Sequence, residues 1–297
     1  MSAFLHRESQ DKRASSAYSK GFDVFSWLTL PDTRPDTRYQ LSMAIALPLL
    51  GLTQMMHIVV LFKTLGVSPG ELVKHFKVAV GHSQGIAIAV VLSSLTDEES
   101  LYDIGKKILG IQMLAGVILQ RKYPCPRMPV PADKLAHGVI DGGEPRPMVS
   151  VQGVSKSALE HLLAKFNSRQ PTSDLHMFIG VTNSMDHFIV AGHINSAVGF
   201  VALLRGESAY PDEDQSRVPY PKRKPTITTQ YMSITAPYHC PLLEAAAGEA
   251  YATAIEKQWV LHASDMQVAV RASDDGHDIR SETDLTRYLF SSICVLP

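Results

Sequence analysis

Lys77-Val78-Ala79-Val80-Gly81-His82-Ser83-Gln84-Gly85 runs straight into Ile86-Ala87-Ile88-Ala89-Val90-Val91-Leu92, and the reading of this stretch decides the fold. A short β-type run precedes a G-x-S-x-G turn, and an apolar run suited to a buried helix follows it. The pattern predicts strand, tight turn, helix. In such an elbow the serine sits on a sharp turn with its hydroxyl exposed, and neither glycine carries a Cβ to obstruct neighbouring backbone. The helix behind it aims free N–H groups and the positive end of its dipole at any oxyanion formed beside the serine. As a bare pattern G-x-S-x-G is weak; the flanking strand and helix make Ser83 a candidate nucleophile, with a structural turn as the ordinary alternative.

Working outward, Gln54–Leu65 reads as a helix closed by Gly66 and a Ser68-Pro69-Gly70 turn, with a short helical piece over Glu71–Phe76. Leu101–Gln120 reads as a long helix with Lys106 and Lys107 on its wet side. The stretch from Leu41 to Phe62 is interrupted by Pro48, Gly51, Thr53, Gln54 and His57, which predicts buried helices separated near Pro48 and Gly51 rather than a membrane span. A proline-rich linker is expected over Tyr123–Pro147. Beyond it, strands at Met148–Val151, Phe178–Val181 and Phe188–Ala191 alternate with helices at Ser155–Asn167, capped by Ser155, and Ser196–Leu204. That order predicts an inserted ferredoxin-like (split βαβ) subdomain over 148–206, a tail over 1–20, and a core made of 21–147 and 207–297. One more strand, Tyr231–Ala236, is expected to lead into Pro237-Tyr238-His239.

Of 297 residues, 45% are hydrophobic and 19% charged, so a large core can be buried, and the net charge of −1 supplies no global field toward nucleic acid or an anionic membrane. The opening MSAFLHRESQDKR lacks the order of a secretory signal. Three cysteines without C-x-x-C spacing argue against a disulfide framework or zinc cluster and fit a cytoplasmic, reducing location. A serine nucleophile needs a base, and among twelve histidines His239 is the best candidate, held at a strand end behind a proline turn. A surface or core histidine is the ordinary alternative. His82 reads as packing or hydrogen-bonding support. His187 and His193 have no third ligand in view, so no metal is expected.

Gly81-His82-Ser83-Gln84-Gly85 resembles the G-H-S-Q-G of the acetyltransferase (starter acyltransferase) domain in fungal-type fatty acid synthase β subunits and their polyketide-linked relatives. Further landmarks follow in order: Gly21 to Leu28, Leu65 to Leu72, the Asn183 segment ending at Ala191-Gly192, Asp214 to Pro219, and Ala236-Pro237-Tyr238-His239. The resemblance covers roughly 21–294. It implies an α/β acyltransferase fold with an α/β-hydrolase-like parallel core, and an [acyl-carrier-protein] S-acetyltransferase type of activity. Ser83 would attack an acyl-CoA thioester with His239 as base, and the phosphopantetheine thiol of acyl carrier protein would collect the acyl group. No cofactor is held permanently; the partners are acyl-CoA, carrier protein and other synthase domains, with no nucleic acid and no membrane. The N–H of Gln84 would serve the oxyanion, with Asn183 as a supporting residue. Gln112, Met113 and Ala115 would line the acyl pocket, and Lys222-Arg223-Lys224 would meet CoA phosphates or the acidic face of a carrier protein, or simply remain solvated.

The family's opening strand with its glycine-rich turn, and its closing strand with a glycine-proline-glycine turn, have no counterpart here, which reads as truncation at both ends. Two other readings therefore stand beside the transferase: a serine hydrolase or thioesterase using the same pair, and a weakly active remnant that serves as a docking module. Malonyl-using relatives carry an arginine on the helix after the nucleophile, a bidentate partner for the free carboxylate. Ile108 to Gly116 contains none. Arginine introduced at Gln112 or Met113 is therefore expected to raise malonyl transfer, read as malonyl adduct by intact mass.

Overall fold

The computed structural model describes residues 1–11, 16–126, 144–210 and 213–296. Much of the expected proline-rich linker thus lies outside the described residues. In chain order the main elements are α1 (Ser2–Ser9), α2 (Val24–Thr29), α3 (Thr37–Gln40), α4 (Met43–Leu65), α5 (Pro69–Lys74), β1 (Val78–Val80), α6 (Gly85–Ser93), α7 (Glu98–Lys122) and β2 (Met148–Gln152). They continue as α8 (Lys156–Asn167), β3 (Met177–Thr182), β4 (His187–Gly192), α9 (Ile194–Glu207), β5 (Thr228–Tyr231), α10 (Glu244–Glu256), β6 (Ala269–Arg271) and α11 (Leu285–Cys294). Two compact units result: Met1–Lys122 with Leu243–Leu296, and Tyr123–Leu242.

In the first unit β1 and β6 pair in parallel, Ala79 opposite Val270 and Val80 opposite Arg271. Parallel neighbours cannot be joined by a hairpin, and the partner strand comes from the far end of the chain. Buried Ser93, the last residue of α6, pins its entry. Its hydroxyl donates to Val268 O and accepts the Val268 N–H at 3.2 Å, while Ser93 O takes the Gln267 N–H at 2.8 Å. The rest of α6 is apolar on nearly every side, as a helix enclosed by core must be.

Helix α4 departs from expectation. It is one continuous helix with Pro48 inside it, not two pieces. Proline at 48 removes the N–H that would have served the carbonyl of Ala44. Tyr18 supplies the missing donor, its buried hydroxyl reaching Ala44 O at 3.2 Å. Burial first, then the charges of Tyr39 and Glu8, hold the Tyr18 phenol above its ordinary range, so it stays protonated and donating. By length and composition alone α4 would suffice to cross a membrane. It buries Met43, Ala44, Ile45, Leu47, Met55, Ile58 and Phe62, while Leu50, Met56, Val60, Leu61 and Leu65 of the same helix are exposed.

The N-terminus is likewise not a tail. Phe4 and Leu5 of α1 are buried, Phe4 meets Trp259 edge-on with centroids 5.8 Å apart, and Lys257 bridges Glu8 at 2.9 Å and Asp11 at 3.2 Å. Polar composition hid this: two adjacent apolar residues are enough to anchor a two-turn helix once an aromatic partner is supplied from elsewhere in the unit.

The second unit is an antiparallel sheet in the order β3-β4-β2-β5, the β-α-β-β-α-β arrangement of a ferredoxin-like subdomain. Its core gathers Val149 and Val151 of β2, Leu159, Leu163 and Phe166 of α8, Phe188 and Val190 of β4, and Phe200 and Leu204 of α9. The unit is wider than the expected 148–206, because β5 lies beyond that range and pairs with β2, Val149 opposite Tyr231 and Val151 opposite Thr229. The strand expected at Tyr231–Ala236 is therefore displaced toward the N-terminus. Burial explains the shift: Ile227, Thr229 and Tyr231 alternate inward as a strand requires, whereas Thr235 to Cys240 are buried continuously.

Replacing Tyr18 with Phe leaves Ala44 O unsatisfied and is expected to cost about 1–3 kcal/mol in urea unfolding. In a Pro48→Ala background the restored N–H serves that carbonyl, so the same change is expected to cost less than half as much; equal costs in both backgrounds would disprove the substitution of donors.

Candidate active site

Ser83 takes a left-handed backbone, φ +54°, at the junction of β1 and α6. A non-glycine residue holds such a conformation only when its surroundings impose it, at a cost of order 1–3 kcal/mol. Gly81 is the imposing residue: a Cβ there would lie 2.2 Å from Gly85 O and 2.5 Å from Ile86 N. The carbonyl of Gly81 is held in turn by the Ser273 hydroxyl at 2.9 Å, from the loop after β6. Gly85 differs from expectation, since a Cβ at that position would meet no heavy atom within 4 Å among the described residues. It is backbone for Gly81 to approach, not a gap.

The turn spends its donors unevenly. Gly85 N–H goes to His82 O at 2.9 Å and Ile86 N–H to Ser83 O at 3.0 Å. The N–H of Gln84, N-cap of α6, donates to no carbonyl among the described residues. Its side chain is buried and doubly held: Gln112 Nε2 donates to Gln84 Oε1 at 2.8 Å, and Gln84 Nε2 donates to Gln54 Oε1 at 2.8 Å. His82 is exposed.

The three pocket candidates on α7 do not share a face, because successive helical residues are rotated by about 100°. Gln112 points at the nucleophile turn. Met113 instead lines a cavity of about 130 Å³ with Tyr18, Val117, Lys257 and Trp259. Ala115 is fully buried and, by helical geometry, lies about 60° from Gln112 and far round from Met113.

In the second unit His239 is buried, 6% exposed, and also left-handed, φ +58°. Its turn is tight: Tyr238 N–H reaches Ala236 O at 3.0 Å, and the Cys240 thiol donates to Pro237 O at 3.0 Å. Against it lies Gly180, where the β3–β4 register slips between Ile179 and Val181. A Cβ on Gly180 would stand 3.1 Å from His239 O and 3.2 Å from His239 Cβ. Sequence reasoning missed Gly180, although a lone glycine inside a strand pattern is a signal for a bulge or a close backbone approach. Asn183 is exposed in the β3–β4 turn, its N–H bonded to His187 O at 2.9 Å. Of the basic triplet, Arg223 holds Val218 O at 2.9 Å and Ser216 O at 3.2 Å, and Lys224 holds Gly206 O at 3.0 Å. Arg223 thus fastens its own loop, and Lys224 ties that loop to the end of α9.

Among the described residues, Asp274, Asp275 and His277 are close enough to share a metal ion. Both nitrogens of His277 already meet carboxylates, Asp275 at 2.6 Å and Glu282 at 2.8 Å. Chiefly the hydrogen bond to Asp275, against some burial, raises the imidazole pKa. His187 Nε2 meets Ser150 Oγ at 3.0 Å, and His193 Nδ1 accepts the Asn195 N–H at 3.2 Å as the N-cap of α9.

Solved structures share this architecture. MCAT from Streptococcus pneumoniae matches with a TM-score of 0.58 at 14% identity, over 98% of this chain and 73% of its own. A malonyl-transacylase solved in complex with a type II PKS acyl-carrier protein matches with a TM-score of 0.57 at 15% identity, over 98% and 76%. At these identities the likeness defines the fold alone, an α/β acyltransferase fold. Among sequences, fatty acid synthase subunit beta of Schizosaccharomyces pombe is 35% identical over 285 residues, 95% of this chain and 13% of the relative. Fatty acid synthase beta subunit aflB of Emericella nidulans is 31% identical over 279 residues, 93% of this chain and 13% of the relative. The chain thus spans 13% of the length of these relatives. Residues 2–224 match the family described as starter unit:ACP transacylase in aflatoxin biosynthesis, and the chain belongs to it. Ser83 falls inside the matched span and His239 beyond it.

Gly81→Ala is expected to cost more than about 3 kcal/mol in urea unfolding, since backbone rather than a flexible side chain blocks the added Cβ. Gly85→Ala is expected to be neutral or stabilising by up to about 1 kcal/mol. Reversal of that order would refute the assignment of the elbow's constraint to Gly81.

Proposed function

We propose that the chain transfers an uncharged acyl group from acyl-CoA to the phosphopantetheine thiol of an acyl carrier protein, through an acyl ester on Ser83 with His239 as general base. The observation that carries this reading is backbone strain. Among the described residues three that are not glycine have positive φ: Ser83, His239 and Gln258. Gln258 follows the last turn of α10, where left-handed residues are common. The other two are the residues whose chemistry an acyl transfer needs, each on a sharp turn, and such strain gathers at functional sites.

Ser83 Oγ attacks the thioester carbonyl while His239 takes its proton. The tetrahedral intermediate expels CoA sulfur, which receives that proton and leaves as the thiol, and the acyl ester remains on Ser83. The carrier thiol then gives its proton to His239 and attacks the ester; the proton returns to Ser83 as the acyl thioester departs. The unspent N–H of Gln84 and the α6 dipole stabilise the oxyanion in both halves, and one such donor is worth about 10²–10³ in rate. Asn183, and His82 as a polar neighbour, support the site. No bound cofactor takes part, and the substrates are those of a cytoplasmic synthase.

Incubation with acetyl-, hexanoyl- and malonyl-CoA followed by intact mass is expected to give acetyl and hexanoyl adducts, none with malonyl. The adducts are absent in Ser83→Ala, form at least about 10²-fold more slowly in His239→Ala, and pass to carrier protein. Release to water instead of transfer would make the chain a hydrolase; no adduct with any acyl-CoA would sink the transferase reading. Ala115→Ile, which adds volume to a buried position beside Gln112, is expected to shift the profile toward acetyl.

A further inference from the structure

We propose that Gln54 and Gln112 are positioning residues, gripping the side chain of Gln84 from two helices so that the N–H of Gln84 stays aimed at the oxyanion. The inference rests on the acyl-serine reading of Ser83. Three amides form one chain, from Gln112 on α7 through Gln84 to Gln54 on α4, with both links at 2.8 Å. Gln84 directly follows the strained serine, so the peptide joining them carries both the nucleophile's backbone and the unspent donor.

Stability alone does not account for this chain. Gln112 is fully buried, and its Oε1 has no hydrogen-bond partner among the described residues. An unsatisfied buried carbonyl costs about 1–3 kcal/mol, which an apolar side chain of the same shape would avoid. Helix α4 also yields space to it, since a Cβ on Gly51 would stand 2.0 Å from Gln112 Oε1. What the amides do supply is direction. A hydrogen bond weakens steeply as its angle closes, and a donor aimed at a developing charge loses its value when it turns. With both atoms of the Gln84 amide fastened, rotation of the peptide before it must be taken up by the side-chain torsions between the amide and Cα or break a link.

The test uses Gln54, which is only half-buried, so that replacement leaves the core intact. Gln54→Leu removes the acceptor, and Gln54→Glu keeps it. Two readouts are taken on the full chain: the single-turnover rate of acylation by acetyl-CoA, and the rate of phosphonylation by a fluorophosphonate probe, whose phosphoryl oxygen uses the same donor. Gln54→Leu is expected to slow both about tenfold, with the KM for acetyl-CoA within about twofold and an unchanged melting temperature, and Gln54→Glu to recover most of the rate. Gln112→Leu, which removes the donor to Gln84 Oε1, is expected to slow both reactions as well. Wild-type rates in Gln54→Leu, or a loss that Gln54→Glu fails to recover, would overturn the positioning role. Phosphonylation without acylation in the parent chain would remove the transferase reading and leave the positioning comparison to the probe; reaction with neither reagent would remove both.

Discussion

The close approach of Gly81 to the backbone of Gly85 is the constraint from which the first unit is organised. It leaves no room for a side chain at Gly81 and forces the next sharp turn onto a serine with left-handed backbone. Such a turn does not hold itself. Strand β1 is tied by its parallel partner, that partner by Ser93 at the foot of the helix it packs with, and the carbonyl of Gly81 by Ser273. Two of these ties, β6 and Ser273, belong to one stretch of chain and the third to α6, so the turn is held chiefly by a segment far from it in sequence.

The second unit solves the same problem with different parts. Its histidine is held left-handed by a turn only a few residues long, closed by the Cys240 thiol, and flanked by a strand that bulges at Gly180 to make room. A bulge removes one rung of the ladder and re-aims the side chains around it. Here the relief is local, because β3 is the outer strand of the sheet order, where a lost rung leaves no neighbour unpaired on its far side.

Which parts were legible in the sequence follows from how local their causes are. The elbow was readable because β-type residues, glycines and an apolar run are contiguous, and Ser155 was readable as a cap because its partner, the N–H of Ala158, is three residues away. The fate of Pro48 was not, because the hydroxyl that replaces its N–H belongs to Tyr18, outside the helix. The packing of Phe4 depended on Trp259, and the inward face of β5 on pairing with a strand far upstream. At the site, Ser83 and His239 were legible as candidates, each at the end of an expected strand. What surrounds them was less so: Gln54 looked like an interruption in an apolar helix, and Gln112 and Met113 looked equivalent until the helix turned them to different sides.

The charge of the interior around the nucleophile turn bears directly on what acyl group the proposed reaction would accept. The side chains that reach Gln84 are neutral amides, and the α7 segment from Ile108 to Gly116 carries no ionised group. The basic residues of that helix are Lys106, Lys107, Arg121 and Lys122, each turned at least partly to solvent. A carboxylate buried among amides without a cation gives up hydration worth several kcal/mol and recovers only part of it through hydrogen bonds. An acetyl or hexanoyl chain gives up nothing of the kind and gains from each buried methylene. In the proposed reaction, selection against charged acyl groups would need no repelling residue: it would follow from desolvation, and the same glutamines proposed to fix the geometry would keep the site neutral.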